Sequence, residues 1–122
     1  LLRASKVKCV DGLIRANAQN ASEMWDLVKK ITPDGTGFDL VVNCVNVPDT
    51  EVPAIIATKS GGTVMFFSMA TRFDKAALGT DATGKDVNMI IGNGVAEGQA
   101  DEMIRLLKGN RRLFDYFKRI HR

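Results

Sequence analysis

Residues 61–73 read GGTVMFFSMATRF. A glycine pair launches Thr63, Val64, Met65, Phe66 and Phe67 as an unbroken run that stops at Ser68 and turns small and polar. A short apolar run bounded by turn residues is the pattern of a strand buried on both faces. Two similar runs flank it. FDLVVNCV, residues 38–45, follows TPDGTG, whose Pro33, Gly35 and Gly37 break the chain. KDVNMIIGNG, residues 85–94, ends in Gly92 and Gly94.

Helical patterns separate these runs. Ser22 to Ile31 carries Met24, Trp25, Leu27, Val28 and Ile31 at helical intervals, with the cap expected at Ala21 or Ser22. PDTEVPAIIATKS reads as a helix capped around Asp49 or Thr50, where Pro53 is tolerated because it falls in the first turn. Ala70 to Gly84 is polar and glycine-dotted, with no element assigned. EGQADEMIRLLKGN predicts a helix that buries Met103, Ile104, Leu106 and Leu107 and stops at Gly109. Upstream, Leu1 to Ser5 reads as the tail of a helix and Gly12 to Ala16 as a short strand. Strands alternating with helices predict an α/β fold, a parallel sheet of three to four strands with flanking helices.

With 122 residues, 45% hydrophobic and 25% charged, the chain has the composition of one globular domain. No apolar run approaches the roughly 20 residues that cross a bilayer, and Leu1 to Lys8 has neither the apolar region nor the cleavage site of a signal peptide. A cytoplasmic protein without a membrane partner is expected. Cys9 and Cys44 lie far apart, with one histidine in the chain, so the reading is two reduced, mostly buried thiols and no metal site. The net charge of +3 hides an asymmetry: from Arg105 onward seven basic residues face Asp115 alone, leaving the rest acidic by three. Leu113, Phe114, Tyr116, Phe117 and Ile120 interleave with those charges at helical spacing. The end is therefore a basic amphipathic helix rather than a nucleic-acid-binding tail.

Ligands of open parallel sheets bind beyond the carboxyl ends of the strands. Three strand ends here are small or amide-bearing: Asn43, Cys44, Val45 and Asn46; Ser68, Met69 and Ala70; Gly92, Asn93 and Gly94. Small residues let a flat ligand approach the backbone, and amides and hydroxyls offer donors and acceptors. Turn residues follow strands in any α/β domain, so the argument rests on three polar, uncharged ends in one chain.

TGFDLVVNCVN, GGTVMFFSM and DVNMIIGNG together resemble the second half of the nucleotide-binding domain of medium-chain, alcohol-dehydrogenase-like dehydrogenases. The fuller string FFSMATRFDKAALGTDATGKDVNMIIGNG, residues 66–94, is similar more narrowly to the amino-acid dehydrogenases of lysine fermentation. That resemblance implies NAD or NADP as cofactor of the intact enzyme and a small amino-acid substrate undergoing oxidative deamination. It implies cofactor contacts at Asn43, Cys44, Val45, Asn46, Ser68, Met69, Ala70 and Gly92, with Asn17 toward the adenine and Asn93 toward substrate or carboxamide.

The chain departs from the family's pattern in two respects: it carries neither the family's separate catalytic domain nor its dinucleotide-binding fingerprint. The G-x-G-x-x-G fingerprint that holds the pyrophosphate is absent, and neither GLIRAN nor GNGVAEG replaces it. Residues 1–122 are therefore expected to be the C-terminal part of a Rossmann-type NAD(P)-binding domain whose first βαβ unit is missing, inactive alone, its partner being the N-terminal part of the same protein. No catalytic residue is nominated. Ser68 has no histidine partner in any motif, His121 sits in the basic tail, and Lys85 and Asp86 read as surface charges at a strand start. Two other readings stay open. FDLVVNCVNVP also resembles the fourth strand of S-adenosylmethionine methyltransferases, although Val47 separates Asn46 from Pro48. A non-enzymatic module whose basic helix meets an acidic partner is the other.

In the resembled fold the strand order is 3-2-1-4-5-6, which leaves strand 38–45 at an edge, with Phe38, Leu40, Val41, Val42 and Val45 uncovered. Either residues 7–16 cover it or a second copy pairs with it. A homodimer through this strand is the expectation.

Overall fold

The computed structural model describes residues 10–92 and 96–120. Helix α1 spans Ala21–Ile31, strand β1 Phe38–Asn43, α2 Glu51–Ala57, β2 Thr58–Phe66, α3 Phe73–Thr83, β3 Asn88–Ile91, α4 Gln99–Gly109 and α5 Arg111–Ile120. The three strands form a parallel sheet in the order β1-β2-β3. The α/β expectation therefore holds, as a partial Rossmann-like fold built of two successive βαβ units.

Among the described residues the sheet is covered on one side only. Val41, Val64 and Met89 lie in one row across the strands, and Asn43, Phe66 and Ile91 in another. These rows face α2 and α3, where Ala54, Ile55, Val64, Phe66 and Ala76 form the core with Val41, Val87 and Met89 against it. The alternate row, Val42, Met65 and Ile90, faces away from the helices, with Val42 50% and Ile90 48% exposed. The expectation of strands buried on both faces is thus corrected. Both crossover helices lie on one face, α1 packs beside α2 on that side, and no described element covers the other.

The glycine pair that opens the central run lies inside β2 rather than before it. The strand begins directly after α2, at Thr58, whose hydroxyl donates to the Ala54 carbonyl at 2.9 Å. Pairing with β1 then skips from Phe38↔Thr58 to Leu40↔Thr63, so Gly61 and Gly62 form an irregularity within the strand. Gly37 is the tighter constraint. Its φ is +122°, and a Cβ there would lie 2.7 Å from the Ala57 carbonyl oxygen and from the Lys59 nitrogen. No side chain fits where β1 meets the α2–β2 junction.

Several expectations are corrected. Residues 12–16 form no strand: the stretch is largely exposed and lacks a ladder partner among the described residues. Asn20, not Ala21 or Ser22, caps α1, accepting from the Glu23 amide at 3.0 Å. The unassigned segment 70–84 contains α3, whose buried positions are only Ala76 and Gly79. At Gly79 a Cβ would lie 2.6 Å from Ile55 Cδ1, so the helix approaches α2 through a residue without a side chain. Cys44 is exposed, because β1 ends one residue earlier. Met103, Ile104 and Leu106 are exposed and Leu107 half-buried, since α4 contacts α5 and no other described element. The reading of Leu1 to Ser5 as helix, together with Cys9 and His121, lies outside the described residues.

Lys85 is more than a surface charge. It stands at the strand-start end of the sheet, as expected, but its ammonium donates to the carbonyls of Ile56 and Thr58 at 2.5 Å each and of Thr36 at 3.2 Å. It also lies 5.8 Å from the Trp25 ring centroid. These acceptors include the open carbonyl end of α2, where a cation is favoured. Partial burial lowers the Lys85 pKa from its ordinary value. Between the lowered folded pKa and the unfolded one, the unfolded chain holds more protons, so this group makes stability rise with pH across that window. Lys85→Met is expected to cost about 1–3 kcal/mol by orphaning these carbonyls and to remove that alkaline slope. Urea denaturation from neutral to alkaline pH checks both, with the exposed Asp86→Ala as a control expected within about 0.5 kcal/mol of the parent.

Candidate functional site

The carboxyl ends of the three strands exit side by side. The Phe67 amide donates to the Asn43 carbonyl at 2.9 Å, and the Gly92 amide to the Phe66 carbonyl at 3.2 Å, so the ladders run to the last residue of each strand. Beyond them lie Cys44, Val45 and Asn46 after β1, Ser68, Met69 and Ala70 after β2, and Gly92 after β3. Asn93 lies outside the described residues.

Each of these ends has its own local logic. Asn43 is buried at 6% exposure, and its amide donates to Thr50 Oγ1 at 2.9 Å while its carbonyl oxygen accepts from the Val45 amide at 3.1 Å. Its side chain thus holds the turn between β1 and α2. In that turn Asp49 adopts a left-handed φ of 67°, a conformation Asp tolerates better than most residues. Ser68 makes a hydroxyl turn: its Oγ accepts from the Ala70 amide at 3.1 Å and its carbonyl from the Thr71 amide at 3.2 Å. The Ser68 hydroxyl lies 3.5 Å from Asn46 Oδ1, which brings the ends of β1 and β2 together. Cys44, Val45, Asn46 and Met69 are exposed at this rim, Met69 at 80%.

Asn17 stands in the turn before α1. Its Oδ1 accepts from the Gln19 amide at 3.1 Å and its own amide donates to Glu23 Oε1 at 3.2 Å. Gln19 Nε2 in turn donates to the Pro48 carbonyl at 2.9 Å. That bond pins the 17–20 turn to the loop after β1.

A shallow cleft of about 140 Å³ runs along the outer edge of β1, lined by Ala18, Val42, Asn43, Val45 and Thr50 among others. Sites that engulf a small ligand measure roughly 300–1,000 Å³, so this cleft does not enclose a dinucleotide. Among the described residues no group of three or more His, Cys, Asp or Glu is placed to hold a metal. Among the described residues, what the arrangement offers is a floor of strand ends and one hydroxyl–amide pair.

Charged groups lie at the N-terminal ends of α2 and α3. Lys75 pairs with Asp49, and Arg72 pairs with Asp74 at 2.6 Å. The Arg72 guanidinium holds the Asp74 carboxyl below its ordinary range, and Asp74 raises Arg72 in return. Glu51, which the sequence reading passed over, is 1% exposed and accepts from the Arg72 amide at 2.7 Å. Its place in the first turn of α2 was legible; its burial was not.

This architecture defines the chain as part of a Rossmann-like α/β domain. Over 99 residues it is 46% identical to the L-erythro-3,5-diaminohexanoate dehydrogenase of Acetoanaerobium sticklandii, a match covering 81% of this chain and 28% of that protein. The dehydrogenase of the same name from Fusobacterium nucleatum subsp. nucleatum is 43% identical over 88 residues, 72% of this chain and 26% of that protein. The chain is therefore homologous to a segment of these dehydrogenases and spans little more than a quarter of their length. No family model matches it. Among the described residues, no helix is long and apolar enough to cross a membrane.

Asn43→Ala is expected to destabilise by about 1–3 kcal/mol, since it leaves buried Thr50 without its amide partner. Denaturant melts of Asn43→Ala beside the exposed Asn46→Ala, expected within about 0.5 kcal/mol of the parent, check the division between the buried and the rim amide.

Proposed function

We propose that the chain works as part of a longer NAD(P)-dependent dehydrogenase that oxidatively deaminates L-erythro-3,5-diaminohexanoate to 5-amino-3-oxohexanoate. The observation that carries this reading is identity of 46% and 43% to two dehydrogenases of that name. Three aligned, uncharged strand ends support it. The nicotinamide, when bound, accepts the hydride. Ser68 and Asn46 would border its ribose, and Cys44, Val45, Met69, Ala70 and Gly92 would form the floor on which the ring rests. Asn43 would act from beneath, by holding the β1–α2 turn. Asn17 would face the adenine side, and Asn93 the substrate or the carboxamide. The pyrophosphate would be held by the portion of the protein that precedes this segment, where a glycine-rich turn opening onto a helix N-terminus is needed. A cytoplasmic location accompanies this chemistry.

Replacing the matched segment of the Acetoanaerobium sticklandii dehydrogenase with this chain's tests the reading directly. The chimera is expected to oxidise 3,5-diaminohexanoate with NAD or NADP, while the 122-residue chain alone shows no micromolar binding of either by calorimetry. Ser68→Leu in the chimera is expected to raise the cofactor KM about tenfold or more, the equivalent of one good hydrogen bond and its geometry, with little change in melting temperature. A folded chimera without activity, or Ser68→Leu with unchanged cofactor KM, counts against it.

The partner reading concerns β1. Its outer edge has no strand beside it among the described residues, and Leu40 and Val42 are 59% and 50% exposed. The preceding part of the longer protein would cover this edge; for the isolated chain we infer a homodimer through β1, because an apolar open edge recruits another strand. Light scattering of the isolated chain is expected to give a dimer at micromolar concentration and a monomer for Val42→Lys. A monomeric parent chain overturns the dimer.

A further inference from the structure

We propose that Glu51 is a positioning residue of the crevice: its buried carboxylate fixes the turn 68–72 and thereby the placement of Ser68 at the end of the central strand. The inference rests on the reading that this crevice receives the nicotinamide half of the cofactor.

The N-terminus of α3 lacks the usual local cap. Arg72 occupies the cap position and makes no side-chain capping bond. In a capping box the third helical residue, a Glu or Gln, returns its side chain to the cap residue's own amide. Here that third residue is Lys75, already paired with Asp49. Glu51, the first residue of α2 and 21 positions earlier in the chain, supplies the missing acceptor, taking the Arg72 amide at 2.7 Å. The capping interaction is thus made between helices instead of within one.

The cost of this arrangement marks it as more than incidental. Glu51 is 1% exposed, and its second oxygen, Oε2, is buried without a hydrogen-bond partner. A buried carboxylate with so few bonds is unfavourable unless its surroundings carry compensating positive potential. That potential comes from the amide end of α3 at Arg72, from the start of α2, and from the Arg72 guanidinium, which interacts with Glu51. A carboxylate bound there ties together the helix that follows β1 and the helix that follows β2. The turn between β2 and α3 is then held at successive amides: Ala70 to Ser68 Oγ, Thr71 to the Ser68 carbonyl, and Arg72 to Glu51. The first two bonds fix the shape of the turn, and the third ties its far end to α2. Ser68 Oγ accepts within this turn while lying against Asn46, so a loose anchor at Arg72 would displace the one hydroxyl on the crevice rim of β2.

Amide exchange and ligand titration on the full 122-residue chain, both followed by NMR, test the proposal with Glu51→Ala and Glu51→Gln. Glutamine keeps a carbonyl acceptor for the Arg72 amide; alanine does not. Exchange at Arg72 is expected to accelerate about tenfold or more in Glu51→Ala and to stay within about threefold of the parent in Glu51→Gln, relative to core amides of β2. Millimolar nicotinamide mononucleotide is expected to shift the amides of Ser68, Met69 and Ala70, with apparent affinity lowered about tenfold in Glu51→Ala and restored in Glu51→Gln. Should Glu51→Ala not fold, Glu51→Asp, one methylene too short to reach Arg72, carries the same comparison. Unchanged Arg72 exchange in Glu51→Ala overturns the proposal. So does faster exchange with unchanged affinity, which would make Glu51 a stability residue only. If the parent chain shows no shifts at residues 68–70, the nicotinamide reading of the crevice fails, and with it the role proposed here, whatever the exchange shows of the bond itself.

Discussion

Two parallel strand pairs joined by two helical crossovers can cover only one face of the sheet, and the rest of this structure follows from that constraint. A parallel connection must carry the chain back along the sheet, and successive crossovers that advance in one direction with one hand fall on one side. Here α2 and α3 take that side with α1 beside them, and Val64 and Phe66 of the central strand are sealed beneath them. The other side keeps Val42, Met65 and Ile90, with no described element above it. The same topology places β1 at the margin. One covered face, one bare face and one bare edge are what half of a doubly wound sheet must look like.

Because all three strands point one way, the two ends of the domain differ in electrostatic character, and the sequence answers each with the appropriate charge. At the strand-start end, α2 presents its open carbonyls, and Lys85 fills them from the approach to β3. At the strand-exit end, α2 and α3 present amides, and Glu51 takes the one at Arg72. Each charged group is partly or wholly withdrawn from water and sits at a helix end, Glu51 within the field of the Arg72 guanidinium as well. Two residues at opposite poles of one seven-residue helix therefore lock it between the sheet and its neighbour. The crevice lies at the pole with exposed amides and small side chains, which is also where an electron-rich ligand would be drawn.

The strands were legible in the sequence because their apolar runs are long and uninterrupted between glycines. Their one-sided burial was not, since Leu40, Val42 and Ile90 look the same whether or not a layer covers them. Helix α3 escaped detection because its buried positions are Ala76 and Gly79, which give almost no hydropathic contrast, while Phe73 and Leu78 point outward at 68% and 65% exposure. The strand-end residues could be named because strand ends are marked by turn chemistry in the chain itself. Which of them faces the rim could not. Asn43 and Asn46 are the same residue type three positions apart, yet one is buried against Thr50 and the other lies exposed beside Ser68. Glu51 was hidden for a related reason: an acidic residue in the first turn of a helix is ordinary, and only the neighbouring helix reveals that its carboxylate serves α3.

The terminal helices carry the same argument one step further. In α5, Leu113, Phe114, Tyr116, Phe117 and Ile120 gather on one side and Arg111, Arg112, Lys118 and Arg119 on the other, while Met103, Ile104 and Leu106 of α4 are exposed as well. Such segregation is the mark of a helix with one face meant for burial. Within the described residues these two helices meet only each other, and the sheet's bare face meets nothing. Apolar surface that large is rarely left to water in a finished protein. A segment covering little more than a quarter of its relatives' length would expose such surfaces wherever it is parted from the elements that pack on them. Among the described residues the bare face, the bare edge and the amphipathic helices are then three views of one set of unmade contacts, and the cleft beside the strand ends, open on the side of β1, is a fourth.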